Sequence, residues 1–170
     1  MRQHNLRILF FLLVLWGVAV AGSRREARFR IGVSQCSEDE WRRQMNSEIL
    51  REAHFYEDVE VDIRTAVDDN DRQAKDIREL IAEGVDLLIV APNEATPITP
   101  VVEEAYNRGI PVIVVDRKIL SDKYTAYVGA DNYEIGKAVG EYVANVLHGQ
   151  GDVVEISGLV GSTPAVDRHQ

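Results

Sequence analysis

From residue 28 onward the chain switches repeatedly between short apolar runs and longer stretches in which apolar positions recur every three or four residues. Residues 28–35 read as a first strand centred on Ile31 and Val33. A helix to about Phe55 should follow, with Trp41, Met45, Ile49 and Ala53 on one face. The order Ser37-Glu38-Asp39-Glu40 places a capping box at its start, with Ser37 as the cap. Residues 59–63 alternate with period two, as a strand covered on one side does. Residues 69–83 read as a second helix, with Ala74, Ile77 and Ile81 inward and Gly84 just past its end. Residues 86–91, DLLIVA, are a continuous apolar strand of the doubly covered kind. A third helix is expected to begin at Thr99-Pro100, where a proline in the first turn loses no helical hydrogen bond, and to end at Gly109. Residues 110–115, IPVIVV, are another buried strand, and 124–128 a short one. Residues 132–147 form a fourth helix with Ile135, Val139, Val143 and Val146 on one face. A further strand is expected over 152–156, a loop over 158–163, and a last helix opening at Pro164.

This β-α-β-α-β-α-β order predicts an α/β fold, a doubly wound parallel sheet with right-handed crossovers and helices on both faces. In such sheets ligands bind outside the carboxyl ends of the strands. The rule selects three segments here: Ser34-Gln35-Cys36, Ala91-Pro92-Asn93-Glu94 and Asp116-Arg117-Lys118. They are rich in hydrogen-bonding groups and suit a small polar ligand better than an apolar one. The last helix has only seven residues from Pro164 to Gln170, about two turns. A chain breaking off inside a longer gene product is the expectation.

Residues 1–23 do not fit this alternation. Arg2 and Arg7 precede the uncharged run ILFFLLVLWGVAVA over 8–21, which ends in the small-x-small pattern Ala19-Val20-Ala21. This is the layout of a secretory signal peptide. Its fourteen apolar residues are short for a membrane span of about 20. An uncleaved signal anchor is the alternative, extended by Gly22 and Ser23. Either reading sends the remainder out of the cytoplasm, into the periplasm or onto the outer face of the inner membrane.

Composition narrows the chemistry. The net charge of −9 argues against a nucleic-acid partner, which usually meets a basic face. A single cysteine, Cys36, excludes an internal disulfide and a cysteine-based zinc or iron–sulfur site. The histidines at 4, 54, 148 and 169 have no metal-binding spacing. No G-x-G-x-x-G follows the first strand, and neither a P-loop nor a G-x-S-x-G elbow occurs. Gly158-Leu159-Val160-Gly161-Ser162 has the wrong glycine spacing for those motifs. A non-enzymatic binding domain is therefore preferred to an enzyme.

The landmarks RIGVSQ, EGVDLLIVAP, GIPVIVVDRK, YVGADNYEIGKAVGEY and VVEISGLVGSTPAVDRH, in this order and spacing, resemble the type I periplasmic sugar-binding fold. That family includes ribose- and galactose-type binding proteins and the effector domains of lactose-repressor-type regulators. The phrases VSQCSEDEWRRQMN, PNEATPITP and GSTPAVDRH resemble a narrower group. Its members are the periplasmic sensor domains of membrane-bound hybrid two-component regulators of the Bacteroides type. The resemblance implies a two-lobed protein that closes over a small sugar, with no cofactor and no metal. It implies a complete first lobe over 24–130, then a hinge and a truncated second lobe over 131–170. A soluble binding protein serving a sugar transporter is the alternative. The resemblance also allows a homodimer of the full-length regulator, and membrane contact through the amino-terminal segment if it is uncleaved.

The resemblance carries ligand contact onto particular residues. Asp116 and Arg117 match the pair that meets sugar hydroxyls, and a carboxylate beside a planar guanidinium suits paired donors and acceptors. Their other reading is a local strand-end ion pair. Arg168 matches the arginine at the start of a second-lobe helix, and would otherwise be an ordinary solvated residue. Trp41 stands where relatives carry an aromatic that packs on a sugar face, yet it also begins the apolar stripe of its helix. Ser34, Gln35 and Arg42 surround it, while Asp39 is read as favouring the helix amino terminus. Asn93 and Glu94 follow the third strand, and Asn93 is read alternatively as a turn residue after Pro92. Asp131 and Asn132 cap the fourth helix and are hinge candidates. Cys36 reads as a small packed or loop residue.

Overall fold

Apolar runs too short for helices become the strands of one sheet. The structure, a computed structural model, describes residues 28–170. The expected signal segment over 1–23 lies outside the described residues. The strands are β1 (Phe29–Gln35), β2 (Val59–Thr65), β3 (Leu87–Val90), β4 (Val112–Val115) and β5 (Ala126–Val128). They pair in the order β2-β1-β3-β4-β5, all parallel. The helices are α1 (Glu40–Ala53), α2 (Asn70–Ala82), α3 (Ala95–Asn107), α4 (Asn132–Val146) and α5 (Thr163–His169). This is the parallel α/β sheet expected from the sequence.

The register sorts the sheet's faces. Gly32 aligns with Leu88, and Leu88 with Val112; Ser34 aligns with Val90, and Val90 with Val114. That face is closed by Ile77, Leu80 and Ile81 of α2 and by Ile98, Val101, Val102 and Ala105 of α3, all buried. Gly32 allows this closeness, because a Cβ there would stand 3.1 Å from both Leu80 and Val85. Gly84 and Gly109 end α2 and α3 at φ +77° and +84°, the left-handed geometry that glycine adopts without a Cβ penalty.

Three expectations are corrected. Ser37 is not the cap of α1. Asp39 is, accepting from the Arg42 N–H at 2.9 Å, while the Ser37 hydroxyl donates to the Asp39 carboxylate at 2.7 Å. Helix α3 starts at Ala95 rather than Thr99, so Pro100 lies inside it. Pro97 is the proline that sits in the first turn, where no N–H is needed. Residues 152–156 form no strand. Val154 and Ile156 are almost fully exposed and have no ladder among the described residues, and a strand needs a partner for its N–H and C=O groups. The apolar stripe of α4 is likewise largely uncovered: Ile135, Val139 and Val146 are exposed. No helix among the described residues is long and apolar enough to cross a membrane.

Candidate functional site

The carboxyl ends of β1, β3 and β4 come together with the first turn of α1. The Asp39 cap fixes that turn. Its carboxyl is held below the ordinary carboxylate range, chiefly by the Ser37 hydroxyl and then by the Arg42 N–H. That turn sends Arg42 inward across the strand ends, where it is 2% exposed. Its Nη2 donates to Asp116 Oδ2 at 2.5 Å. Among the described residues its Nε and Nη1, like Gln35 Oε1, are buried without a hydrogen-bond partner. The guanidinium lies 4.7 Å from the centre of the Trp41 ring. Trp41 itself is 57% exposed, so it does not belong to the buried stripe that the helical period suggested.

Asp116 closes the far side. Its φ of 63° is unusual for a residue with a Cβ, and costs on the order of 1–3 kcal/mol. Two bonds hold it there: Asp116 N–H to Val128 O at 2.8 Å, and Tyr127 OH to Asp116 O at 2.8 Å. Burial, then the nearby Asp116 charge, pushes the Tyr127 phenol up, so it remains a donor. Gly129 is required beside it, since a Cβ there would fall 2.1 Å from the Tyr127 oxygen. Arg117 Nη1 donates to Asn93 O at 2.8 Å, tying the ends of β3 and β4 together.

The remaining predicted residues are placed differently. The Ser34 hydroxyl is buried and accepts from Gln73 at 3.2 Å. Gln35 Nε2 donates to Asn46 at 2.5 Å. Glu94 accepts from Asn70 at 2.9 Å and faces Gly161, where a Cβ would stand 2.7 Å from its Oε2. Arg168 donates through Nε to Asn132 Oδ1 at 2.9 Å, and Asn132 is buried. Asp131 caps α4 by accepting from the Glu134 N–H at 3.1 Å. Cys36 is completely buried, with its Sγ 3.7 Å from the Ser37 hydroxyl.

Sequence reasoning missed two things. Gln73 is fully buried on the apolar face of α2 and bonds to the ends of β1 and β3; only its polarity within the stripe 73, 77, 80, 81 could have singled it out. The loop before α5 also reaches over the strand ends. Ala95 N–H donates to Gly161 O at 3.1 Å, and Lys118 N–H to the Thr163 hydroxyl at 2.8 Å. The Gly161 carbonyl thereby caps α3, for which Glu94 provides no side-chain cap. No cluster of metal-ligating side chains exists among the described residues.

A five-stranded parallel sheet with polar groups converging at its strand ends defines a class of small-ligand-binding α/β domains. Residues 31–170 match the family described as periplasmic binding protein domain, and the chain belongs to that family. It is 35% identical over 163 residues to the galactofuranose-binding protein YtfQ of Escherichia coli, covering 92% of this chain and 51% of that protein. It is similar in structure to the fructose-binding periplasmic domain of the hybrid two-component system BT1754. There the TM-score is 0.80 at 67% identity, over 84% of this chain and 47% of that one. It is also similar to the periplasmic binding protein of an arabinose transporter from Shewanella sp. ANA-3, bound to arabinofuranose, with a TM-score of 0.72 at 33% identity. That match covers 82% of this chain and 47% of that one. The chain spans about half the length of these relatives.

Proposed function

We propose that the protein binds a small sugar, without chemical change, between the strand ends of this sheet and a facing lobe. The observation that carries this reading is Arg42: a buried guanidinium with one carboxylate partner and two unpartnered nitrogens. Burying such a group is costly unless its donors are satisfied. Sugar hydroxyls would satisfy them, while the carboxylate of Asp116 accepts from others and Trp41 offers a ring face. Arg117 completes the set. In this proposal residues 24–130 form the first lobe, residues around Asp131 and Asn132 the hinge, and the following segment begins the second lobe. Arg168 and Glu94 serve the closed arrangement, through Asn132 and through the loop around Gly161.

The domain's place is extracytoplasmic, as its family implies. We assign it as the sensor domain of a membrane-bound two-component regulator, which the 67% identity to a domain of that kind supports. Closure over sugar would shift the population between two lobe arrangements, and this shift would be the signal. Fructose is the first sugar to test, and furanose-form sugars next, because relatives are described as binding galactofuranose and arabinofuranose. Service to a sugar transporter is the second reading, favoured by the relatives at 33–35% identity. Calorimetry of the complete protein against fructose, arabinose, galactose and ribose tests the binding proposal. Micromolar or tighter binding of one of them supports it, and binding of none refutes it. A downstream membrane span followed by a kinase would decide for the sensor.

A further inference from the structure

Gln73 occupies a position where an apolar side chain would bury more favourably. Residues 73, 77, 80 and 81 make one face of α2, and the other three are Ile, Leu and Ile. A carboxamide has two donor hydrogens and one acceptor oxygen. Every one of these functions is used here, each on a different part of the strand-end surface. Nε2 donates to Ala91 O at 2.9 Å and to the Ser34 hydroxyl at 3.2 Å; Oε1 accepts the Asn93 N–H at 2.9 Å. Asn93 is 2% exposed. Its own side chain is anchored by Nδ2 to Asp68 O at 3.2 Å and to Asn70 Oδ1 at 3.0 Å. Both oxygens of Asn93 then face one nitrogen of the candidate site: Arg117 Nη1 lies 2.8 Å from the carbonyl and 3.4 Å from Oδ1.

We propose that Gln73, which touches no ligand, is a positioning residue that sets the direction of Arg117 through Asn93. The inference rests on the sugar-binding reading for its consequence, though not for its geometry. The order of dependence is Gln73, then the backbone at Asn93, then the Arg117 guanidinium. Without Gln73 the buried Asn93 N–H has no acceptor, and the backbone at Asn93 must shift to find one. The Asn93 carbonyl, on the other side of the same Cα, shifts with that backbone, and Arg117 loses its closer contact. A guanidinium left with only the Asp116 carboxylate at 3.9 Å and Asn93 Oδ1 at 3.4 Å has more conformational freedom to lose on meeting a sugar, so affinity falls although no ligand contact is removed.

The test has a ligand-free and a ligand-bound reading, both on the full chain. In nitrogen-15 spectra without sugar, Arg117 should give a side-chain signal protected from exchange, assigned by its disappearance in Arg117→Lys. Gln73→Met should abolish that protection and lower the protection of the Asn93 amide at least tenfold. Amides of Ile77 and Leu88 should keep theirs, which reports an intact core. With fructose, Gln73→Met should weaken binding about tenfold in the parent and less than twofold in an Arg117→Ala background. An unchanged Arg117 signal in Gln73→Met overturns the proposal, as does an equal loss of affinity in both backgrounds. A Gln73-dependent Arg117 signal in a protein that binds no sugar leaves the positioning role standing and removes the sugar-binding reading.

Discussion

The two halves of the Arg42–Asp116 pair should respond unequally to mutation in ligand-free stability, though both variants should lose sugar affinity. Arg42 is buried, and one of its three nitrogens is bonded, to Asp116. Asp116 keeps 36% of its side-chain surface in water. Arg42→Met removes the buried charge and fills similar space, while the exposed carboxylate is left to the solvent. Replacing buried ionic groups by apolar ones of similar volume is often neutral or stabilising. The ligand-free protein should therefore melt within about 2 °C of the parent, given that about 1 kcal/mol moves Tm by roughly 2–8 °C. Asp116→Ala instead strands the buried guanidinium with no partner. Removing one partner of a fully buried pair costs about 3–5 kcal/mol. Asp116 is partly solvated, so a loss of roughly 2 kcal/mol is expected. Sugar affinity should fall in both variants. One charge-assisted hydrogen bond is worth about 1.5–3 kcal/mol, a factor of ten or more at about 1.4 kcal/mol per decade. The assay pairs thermal melts without ligand with calorimetry against fructose. If Arg42→Met loses as much stability as Asp116→Ala while keeping its affinity, the pair is structural and the reasoning fails.

Three further outcomes follow from particular contacts. The depressed Asp39 carboxyl makes its cap a source of pH-dependent stability. That contribution is complete above the usual carboxylate value near 4 and is lost as pH falls through the lower folded value. Asp39→Asn should keep most of the cap but flatten this acid limb in urea titrations between about pH 2 and 5; an unchanged limb would assign it to other groups. Gly136→Ala would place a Cβ 2.3 Å from the Arg168 carbonyl, so α5 must shift and the Arg168–Asn132 bond should break; amide protection across α5 should drop, and unaltered protection would contradict the packing. Leu88→Ala, in the fully buried face of the sheet, should cost about 2–5 kcal/mol in denaturant unfolding and leave sugar affinity at the parent value.

The sheet was legible because LLIV and VIVV, punctuated by Gly84 and Gly109, are too short for helices and read as strands. The expected cover on both faces is not what the structure shows: only alternate residues of each strand are buried and the rest are half-buried. The strand-end rule then located Asp116, Arg117, Gln35 and Asn93 without knowledge of any contact. What was not legible depended on partners distant in sequence. Ser37 and Asp39 are both good caps. The choice fell to Asp39 because the Ser37 hydroxyl is spent on its carboxylate. Pro100 reads as a helix start by its type, yet the Gly161 carbonyl, more than sixty residues away, caps the helix at Ala95. The apolar segment at 152–156 reads as a strand but has no neighbour among the described residues, and pairing is not a local property. Gln73 was passed over because a polar residue in an apolar stripe gains meaning only when its bonds to Ser34, Ala91 and Asn93 are seen.

The central claim is that a sugar sits between these strand ends and takes up the free donors of Arg42. A crystal structure of the complete protein grown with fructose tests it most directly. The account predicts sugar oxygens within hydrogen-bond distance of Arg42 Nε or Nη1, of Asp116 and of Arg117, with Trp41 against the ring. A bound sugar that leaves Arg42 unpartnered, or one seated elsewhere on the molecule, would contradict it.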